Sequence, residues 1–187
     1  NPWKSIKDNY EQKRESWVQP NQMHALFKAI DSVGNQDVAD MLRVALYTGA
    51  RSGNVKAMRW TALDLDRALW TIPSAHHKNK KIQTIPLTPV VVEILRQRVG
   101  LSHEWVFPAP TQAGHMGDVR KTWIAIVKTF TAELGQAEVP DLHVHDLRHT
   151  MASWLASSGV SLTMVGKLLG HTQPSTTARY SHLATDP

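Results

Sequence analysis

The 187-residue chain has no cysteine, which excludes disulfides, thiolate-held zinc and cysteine nucleophiles together. It has no long apolar run either. The longest aliphatic stretch, VVVEIL at 90–95, is far too short to span a bilayer, and the first twenty residues are polar and mixed in charge. Internal repeats and low-complexity tracts are also absent, so a solenoid or a disordered tail does not account for the chain. Acidic residues are in the minority: 16 Asp and Glu face 21 Lys and Arg, for a net charge of +5 and a pI near 9.6. That balance attracts polyanions such as nucleic acid. What remains is a chain 42% hydrophobic and 20% charged, long enough to bury one sizeable core.

Hydrophobic spacing predicts a helical protein with a small sheet inserted. Residues 1–15 show no clear apolar period and are expected to be an arm or linker. Met23, Leu26, Phe27 and Ile30 follow a Pro-Asn start signal at helical spacing; Val38, Met41, Leu42, Ala45 and Leu46 repeat the pattern before Gly49, which is placed to end the helix. A short helix is expected from Ser52. The period then changes: LDLDRALWTIP and KIQTIPL read as antiparallel strands around the basic loop SAHHKNKK at 74–81. Helices resume at TPVVVEILRQRV and at DVRKTWIAIVKTF, where Trp123, Ile126, Val127 and Phe130 face inward. Three short helical segments close the chain, separated by Gly159 and by GHTQP at 170–174. The paired acids of LDLD are read as a turn cap, and the tryptophans, among them Trp60, Trp70, Trp123 and Trp154, as packing.

The stretch HDLRHT at 145–150 poses the functional question. A helix beginning near Asp146 puts Leu147, Met151, Trp154 and Leu155 on an apolar stripe and projects His145, Arg148 and His149 from its first turn. A helix N-terminus offers free N–H groups and favours an anion, and an always-charged arginine beside a divalent ion is unfavourable. A phosphate site is therefore favoured over a metal held by His143, His145 and His149, with His149 read as an inward packing residue. Three other stretches fit an anion: Arg51 after a glycine turn, Lys78 on the hairpin tip, and LLGHTQPSTTARYSHL with His171 and Tyr180.

In the order Arg51, Lys78, His145, Arg148, His171, Tyr180, these motifs resemble the catalytic hexad of the tyrosine recombinases, the phage-integrase family. LYTGAR, MRW, LDLDRALWTIP, KNKKIQTIPL, HDLRHTMAS and LLGHTQPSTTARYSHL stand in family order from about Ser16 to Leu183. One departure is Asn54, three residues after Arg51, where the family often has Glu. The resemblance implies an α+β catalytic fold, mainly helical with a small antiparallel three-stranded sheet. It also implies that residues 16–187 form a catalytic domain that stops soon after the tyrosine helix and lacks the upstream DNA-binding domain.

The resemblance further implies the chemistry. Tyr180 attacks a DNA phosphodiester and forms a 3′-phosphotyrosyl bond, releasing a 5′ hydroxyl, with no cofactor and no metal. Arg51 and Arg148 stabilise the pentacoordinate phosphorane, Lys78 is the general acid, His145 a base or phosphate ligand, and His171 a hydrogen-bond donor to a non-bridging oxygen. The implied partners are double-stranded DNA and, for a full-length parent, other protomers in a tetrameric synaptic complex. The fragment alone is expected to be monomeric, cytoplasmic and unassociated with membranes. The biological role implied is integration or excision of a phage or genomic island.

Two readings of other classes stand beside this one. Residues 158–180 have the helix, turn and helix of a non-catalytic DNA reader. His143, His145 and His149 could instead serve a metal-dependent phosphoesterase. A type IB topoisomerase shares the tyrosine chemistry, but the short chain and the spacing favour a recombinase. The recombinase reading carries a geometric expectation. Arg51, Arg148 and His171 should converge on one open, wet pocket, with Tyr180 free to lie away from it.

Overall fold

The computed structural model describes residues 16–74, 82–138 and 140–184. Lys78, with His76 and His77, lies outside the described residues, as does the arm 1–15.

Local signals set the helix ends. A 3₁₀ turn at Pro20–Gln22 leads into α1 (Met23–Asp31), with proline at the first helical position, where its missing N–H costs nothing. α2 (Gln36–Thr48) starts where the Asn35 side chain accepts from the Val38 N–H at 3.2 Å, and ends at Gly49, left-handed with φ 61°. α3 (Ser52–Lys56) follows directly. β1 (Leu63–Asp64), β2 (Leu69–Ile72) and β3 (Gln83–Pro86) form an antiparallel sheet in the order β1-β2-β3, with Leu63 opposite Trp70 and Trp70 opposite Ile85. Asp64 accepts from the Arg67 N–H at 2.9 Å, so the LDLD acid does cap the turn. α4 (Pro89–Gln97), α5 (Arg120–Glu133), α6 (Asp146–Ser157), α7 (Leu162–Leu169) and α8 (Pro174–Thr177) complete the order, and a 3₁₀ turn at Ala178–Leu183 carries the tyrosine.

The main core gathers α1, α2, α4, α5 and the inner face of the sheet. α1 packs on α5 through buried Leu26 and Ile30 against buried Trp123, Ile126, Val127 and Phe130. α2 is buried almost all round and packs on α6. Of the tryptophans assigned to packing, Trp70 and Trp123 are buried, while Trp60 and Trp154 are half-buried against the same core. A smaller second cluster of Ala152, Ala156, Val165, Leu169 and Tyr180 lies between α6, α7 and the tyrosine turn.

α6 differs from expectation. Only Leu147 of its proposed stripe is fully buried; Met151, Trp154 and Leu155 are half-buried, while Arg148, Thr150 and Ser153 are buried on other faces. The reason is its place between the two clusters, so it has no solvent face along much of its length. Its Thr150 hydroxyl accepts from the Val18 N–H at 3.0 Å, and Trp154 Nε1 donates to the Val18 carbonyl at 3.1 Å, which ties the start of the described chain to the helix.

A buried arginine that sequence patterning did not single out holds α2 to α4. Arg98 is 2% exposed; it donates to Asp40 at 2.8 Å, Asp37 at 2.5 Å and the Val106 carbonyl at 3.0 Å, and it lies over the Phe107 ring. Breaking a buried pair strands the surviving charge. Asp40→Ala is expected to destabilise the fold by about 3 kcal/mol or more, read as a lowered urea midpoint with an unchanged slope.

Candidate active site

Arg51 stands at the entry to α3, its backbone carbonyl accepting from Asn54 and Val55 N–H at 2.8 and 3.2 Å. Its position follows from the chain reversal at Gly49. A side chain at Gly49 would need a left-handed backbone, and its Cβ would sit 2.9 Å from Leu169 and 3.0 Å from Met151. Glycine therefore permits both the turn and the close approach of α7.

Arg148 explains how these segments are held together. Its Nη1 donates to the Gly49 carbonyl at 2.6 Å and its Nη2 to the Leu169 carbonyl at 2.7 Å. Both carbonyls lie at helix C-termini, of α2 and of α7, where oxygens lack intrahelical partners and the helix dipole is negative. One planar fork thus caps two helices and fixes the loops that carry Arg51 and His171. Burial and then the charge of Arg51 lower the Arg148 pKa to about 10, which leaves it a cation at neutral pH. The expected open, wet pocket is therefore only half found. Arg51 and His171 are half-buried and His145 is exposed, but Arg148 is buried and two of its donors are committed to backbone.

The expected free N–H groups at the start of α6 are not found either. The 143–146 segment already winds as a tight turn, so Asp146, Leu147 and Arg148 N–H bond to the carbonyls of His143, Val144 and His145 at 2.9, 3.3 and 3.1 Å. The Asp146 carboxylate takes the His143 N–H at 2.7 Å. Attraction for an anion here comes from side chains rather than from the helix end.

His171 follows the left-handed Gly170. Its Nδ1 lies 2.8 Å from the Thr177 hydroxyl, and Thr177 is itself pressed against Gly166, where a Cβ would come within 2.8 Å. Gln83, at the start of β3, donates to the Leu168 carbonyl at 2.7 Å and packs on Gly170, which joins the start of β3 to the His171 loop. His145 sits at the mouth of the site and meets the His149 ring edge-on at 5.2 Å. A groove of about 650 Å³ between α3, α5 and the 140–145 segment runs beside it, lined in part by Lys56 and Arg120.

Tyr180 does not lie away. It is 4% exposed, its ring completes the small cluster, and its hydroxyl is 2.5 Å from His149 Nδ1. His149 is thus not a simple packing residue. Its ring is half-buried and faces the tyrosine, and the signal for this was the i, i+4 spacing from His145, which puts both on one face. Arg179 is the other neighbour that sequence reasoning passed over. It is exposed, and its charge acts on His145, His149, His171 and Tyr180.

The electrostatics form one system. Desolvation first, then the charge of Arg148, lowers the His145 pKa, although Asp146 opposes this. Desolvation and then His145 and Arg179 take His149 to about 4. Desolvation and then Arg148 and Arg51 take His171 to about 4. Desolvation raises the Tyr180 phenol, against the pull of Arg179 and Arg148. Arg51, His145 and Arg148 of the α6 start, His171 and Tyr180, from four separate segments, therefore share one electrostatic neighbourhood. Among the described residues, no three His, Asp or Glu side chains are placed to hold a metal ion, and His143 turns instead to Asp141, 3.4 Å from its Nδ1.

Two outcomes follow. A lysine ammonium is a single point donor in place of the two nitrogens that reach the two carbonyls, so Arg148→Lys is expected to lower Tm by several degrees, as a loss of about 2 kcal/mol does in a domain of this size, and calorimetry will read it. His149 and His171 have folded pKa values near 4, below the ordinary 6.5, so between those values the unfolded chain binds more protons. The stability they contribute is full above pH 6.5 and is lost as pH falls toward 4. A Tm series from pH 7.5 to 4.5 should fall, and His171→Asn should flatten it.

Residues 16–186 match the phage integrase family. The chain is 30% identical over 181 residues to the integrase of Salmonella phage P22, which covers 92% of this chain and 45% of that protein. The chain spans between a third and about half of the length of the curated relatives it matches first. Among solved structures it resembles the catalytic domain of bacteriophage HP1 integrase, at 23% identity and TM-score 0.66, over 90% of this chain and 88% of that one. It also resembles the XerH site-specific recombinase bound to difH substrate, at 18% identity and TM-score 0.69, over 93% of this chain and 53% of that one. These likenesses show a shared fold: a mainly helical body with a three-stranded antiparallel sheet. On its motifs and on the match across nearly its whole length, the chain belongs to the phage integrase family.

Proposed function

We propose that this chain is the catalytic domain of a site-specific DNA recombinase that cuts and rejoins strands through a 3′-phosphotyrosyl intermediate. One observation carries the reading. The hydroxyl of a buried tyrosine is brought to the first turn of α6, in the same electrostatic neighbourhood as Arg148, Arg51 and His171. The P22 integrase likeness and the DNA held by XerH support DNA as the substrate.

In this reading Tyr180 Oη forms a bond to phosphorus as the bond to the 5′ oxygen breaks. The phenol proton leaves to an acceptor, and the 5′ oxygen takes a proton from Lys78. Arg51 and the remaining donors of Arg148 stabilise charge growing on the non-bridging oxygens, where loss of one donor typically costs about 3 kcal/mol. His171 is neutral at physiological pH, so a Nδ1 that accepts from Thr177 leaves Nε2–H to donate to the phosphate. His145 serves as proton acceptor or phosphate ligand. The phenol is protonated at neutral pH, and burial raises its pKa further, so its proton has to pass to an acceptor as the oxygen attacks. Strand exchange needs further protomers on the same DNA, as a tetrameric synaptic complex; bond energy stored in the phosphotyrosine removes the need for a nucleotide cofactor, and the arginine and His171 donors take the charge-stabilising place a metal would otherwise fill.

The test is a nicked suicide duplex carrying the element's own end sequence, in buffer with chelator. Denaturing gels should show a protein–DNA band with the wild-type chain and none with Tyr180→Phe. An adduct that persists in the Phe variant, or one that forms only with divalent metal, would overturn the assignment.

A further inference from the structure

We propose that His149 positions the nucleophile: its Nδ1 accepts the Tyr180 hydroxyl and holds the attacking oxygen at the first turn of α6, beside the phosphate-binding arginine. The proposal rests on reading Tyr180 as the nucleophile. The contact itself is short, 2.5 Å from Nδ1 to Oη, and it joins residues 31 apart in sequence. The tyrosine ring is buried among Ala152, Ala156, Val165 and Leu169, so its hydroxyl has to find a partner at the edge of that cluster. α6 supplies one. His149 follows Arg148 directly, so a single helical turn fixes both the arginine fork on the Gly49 and Leu169 carbonyls and the imidazole on the tyrosine. The edge-on contact with His145 at 5.2 Å restrains the imidazole plane.

The direction of the hydrogen bond follows from the two groups. The phenol, with an ordinary pKa near 10 that burial raises further, keeps its proton at neutral pH, and the imidazole is neutral because burial and the surrounding cations lower its own pKa. Tyr180 therefore donates, Nδ1 accepts, and the His149 proton sits on Nε2. A phenol whose proton is committed to Nδ1 has its torsion fixed and its lone pairs turned off the imidazole. An apolar side chain of similar size would fill the same space and leave the hydroxyl unaligned. The hydrogen bonds of Arg148 run to the Gly49 and Leu169 carbonyls and that of His149 runs to Tyr180, so replacing the imidazole leaves the bonds that hold the arginine in place.

The experiment uses the whole chain and the suicide duplex described above, under single turnover with saturating DNA. His149→Leu should slow cleavage about 100-fold with DNA affinity unchanged, the scale expected when a reacting group is misaligned by about 1 Å. His149→Asn puts a carbonyl oxygen near the place of Nδ1 and should recover at least about tenfold of that loss. A duplex with sulfur in place of the bridging 5′ oxygen, whose leaving group needs no acid, should leave the His149→Leu defect in place. Nitrogen-15 spectra of the wild-type imidazole should show the Nε2–H tautomer, with the Nδ1 resonance moving in Tyr180→Phe. Wild-type cleavage by His149→Leu, a defect confined to DNA affinity, rescue by sulfur, or an Nδ1–H tautomer each overturns the proposal. If His149→Leu does not fold, His149→Asn and the tautomer decide it. Adduct formation by Tyr180→Phe would instead sink the nucleophile reading itself, a separate result.

Discussion

The guanidinium of Arg148 does two things that conflict in any weaker cation. It caps the carbonyl ends of α2 and α7 through Gly49 and Leu169, and it stands at the centre of the cationic neighbourhood formed with Arg51. Arginine tolerates both because its charge is spread over a plane with donors left over, and because its proton is not lost at the lowered pKa of about 10. The glycines around it follow from the same demand. Gly49 and Gly170 both adopt left-handed turns and both have neighbours so close that a Cβ would collide. The residue just past each helix end, Gly49 and Gly170, is where the chain turns and where a side chain would be in the way.

That convergence sets the charge state of everything nearby. Burial first, and then the charges of Arg148 and Arg179, joined at His171 by Arg51 and at His149 by His145, lower the pKa of His149 and His171 to about 4, so these histidines are neutral donors and acceptors rather than additional cations. The neighbourhood gains hydrogen-bonding groups without gaining charge. An anion entering it meets fixed cations and oriented imidazoles whose reorganisation has already been done in folding, the arrangement that makes charge stabilisation effective in a low-dielectric site. The tyrosine is held in a separate small cluster, so its placement depends on α6, α7 and the final 3₁₀ turn rather than on the main core.

Much of this was legible in sequence because it is local. The Pro-Asn signal before Met23 announces a helix start, Gly49 and the break at 170–174 announce ends, and the change of period at Thr61 announces the sheet. The six motif residues were legible in their family order, although Lys78 lies outside the described residues. What escaped was pairing at a distance. Nothing in the neighbourhood of Arg98 marks it as the partner of Asp40, 58 residues away, and nothing near Arg148 shows that its donors go to two backbone oxygens. The helical period of α6 misled for a related reason: a helix between two clusters has no single buried stripe. His149 was misread because an inward imidazole and an imidazole facing a distant tyrosine have the same local pattern.

Asn54 shows how a departure from family pattern can be absorbed. Where the family often has a carboxylate, this chain has an amide, which brings no negative charge beside the start of α3. With Asn54 the α3 start still holds Arg51 by its backbone, since the Arg51 carbonyl accepts from the Asn54 and Val55 N–H groups whatever the side chains are. The chain reversal before it is held from the other side by Arg148 through Gly49. Main-chain geometry thus places the Arg51 backbone whatever side chain stands at 54, and the Arg51 charge adds to the burial and the other cations that lower the His145 and His171 pKa values.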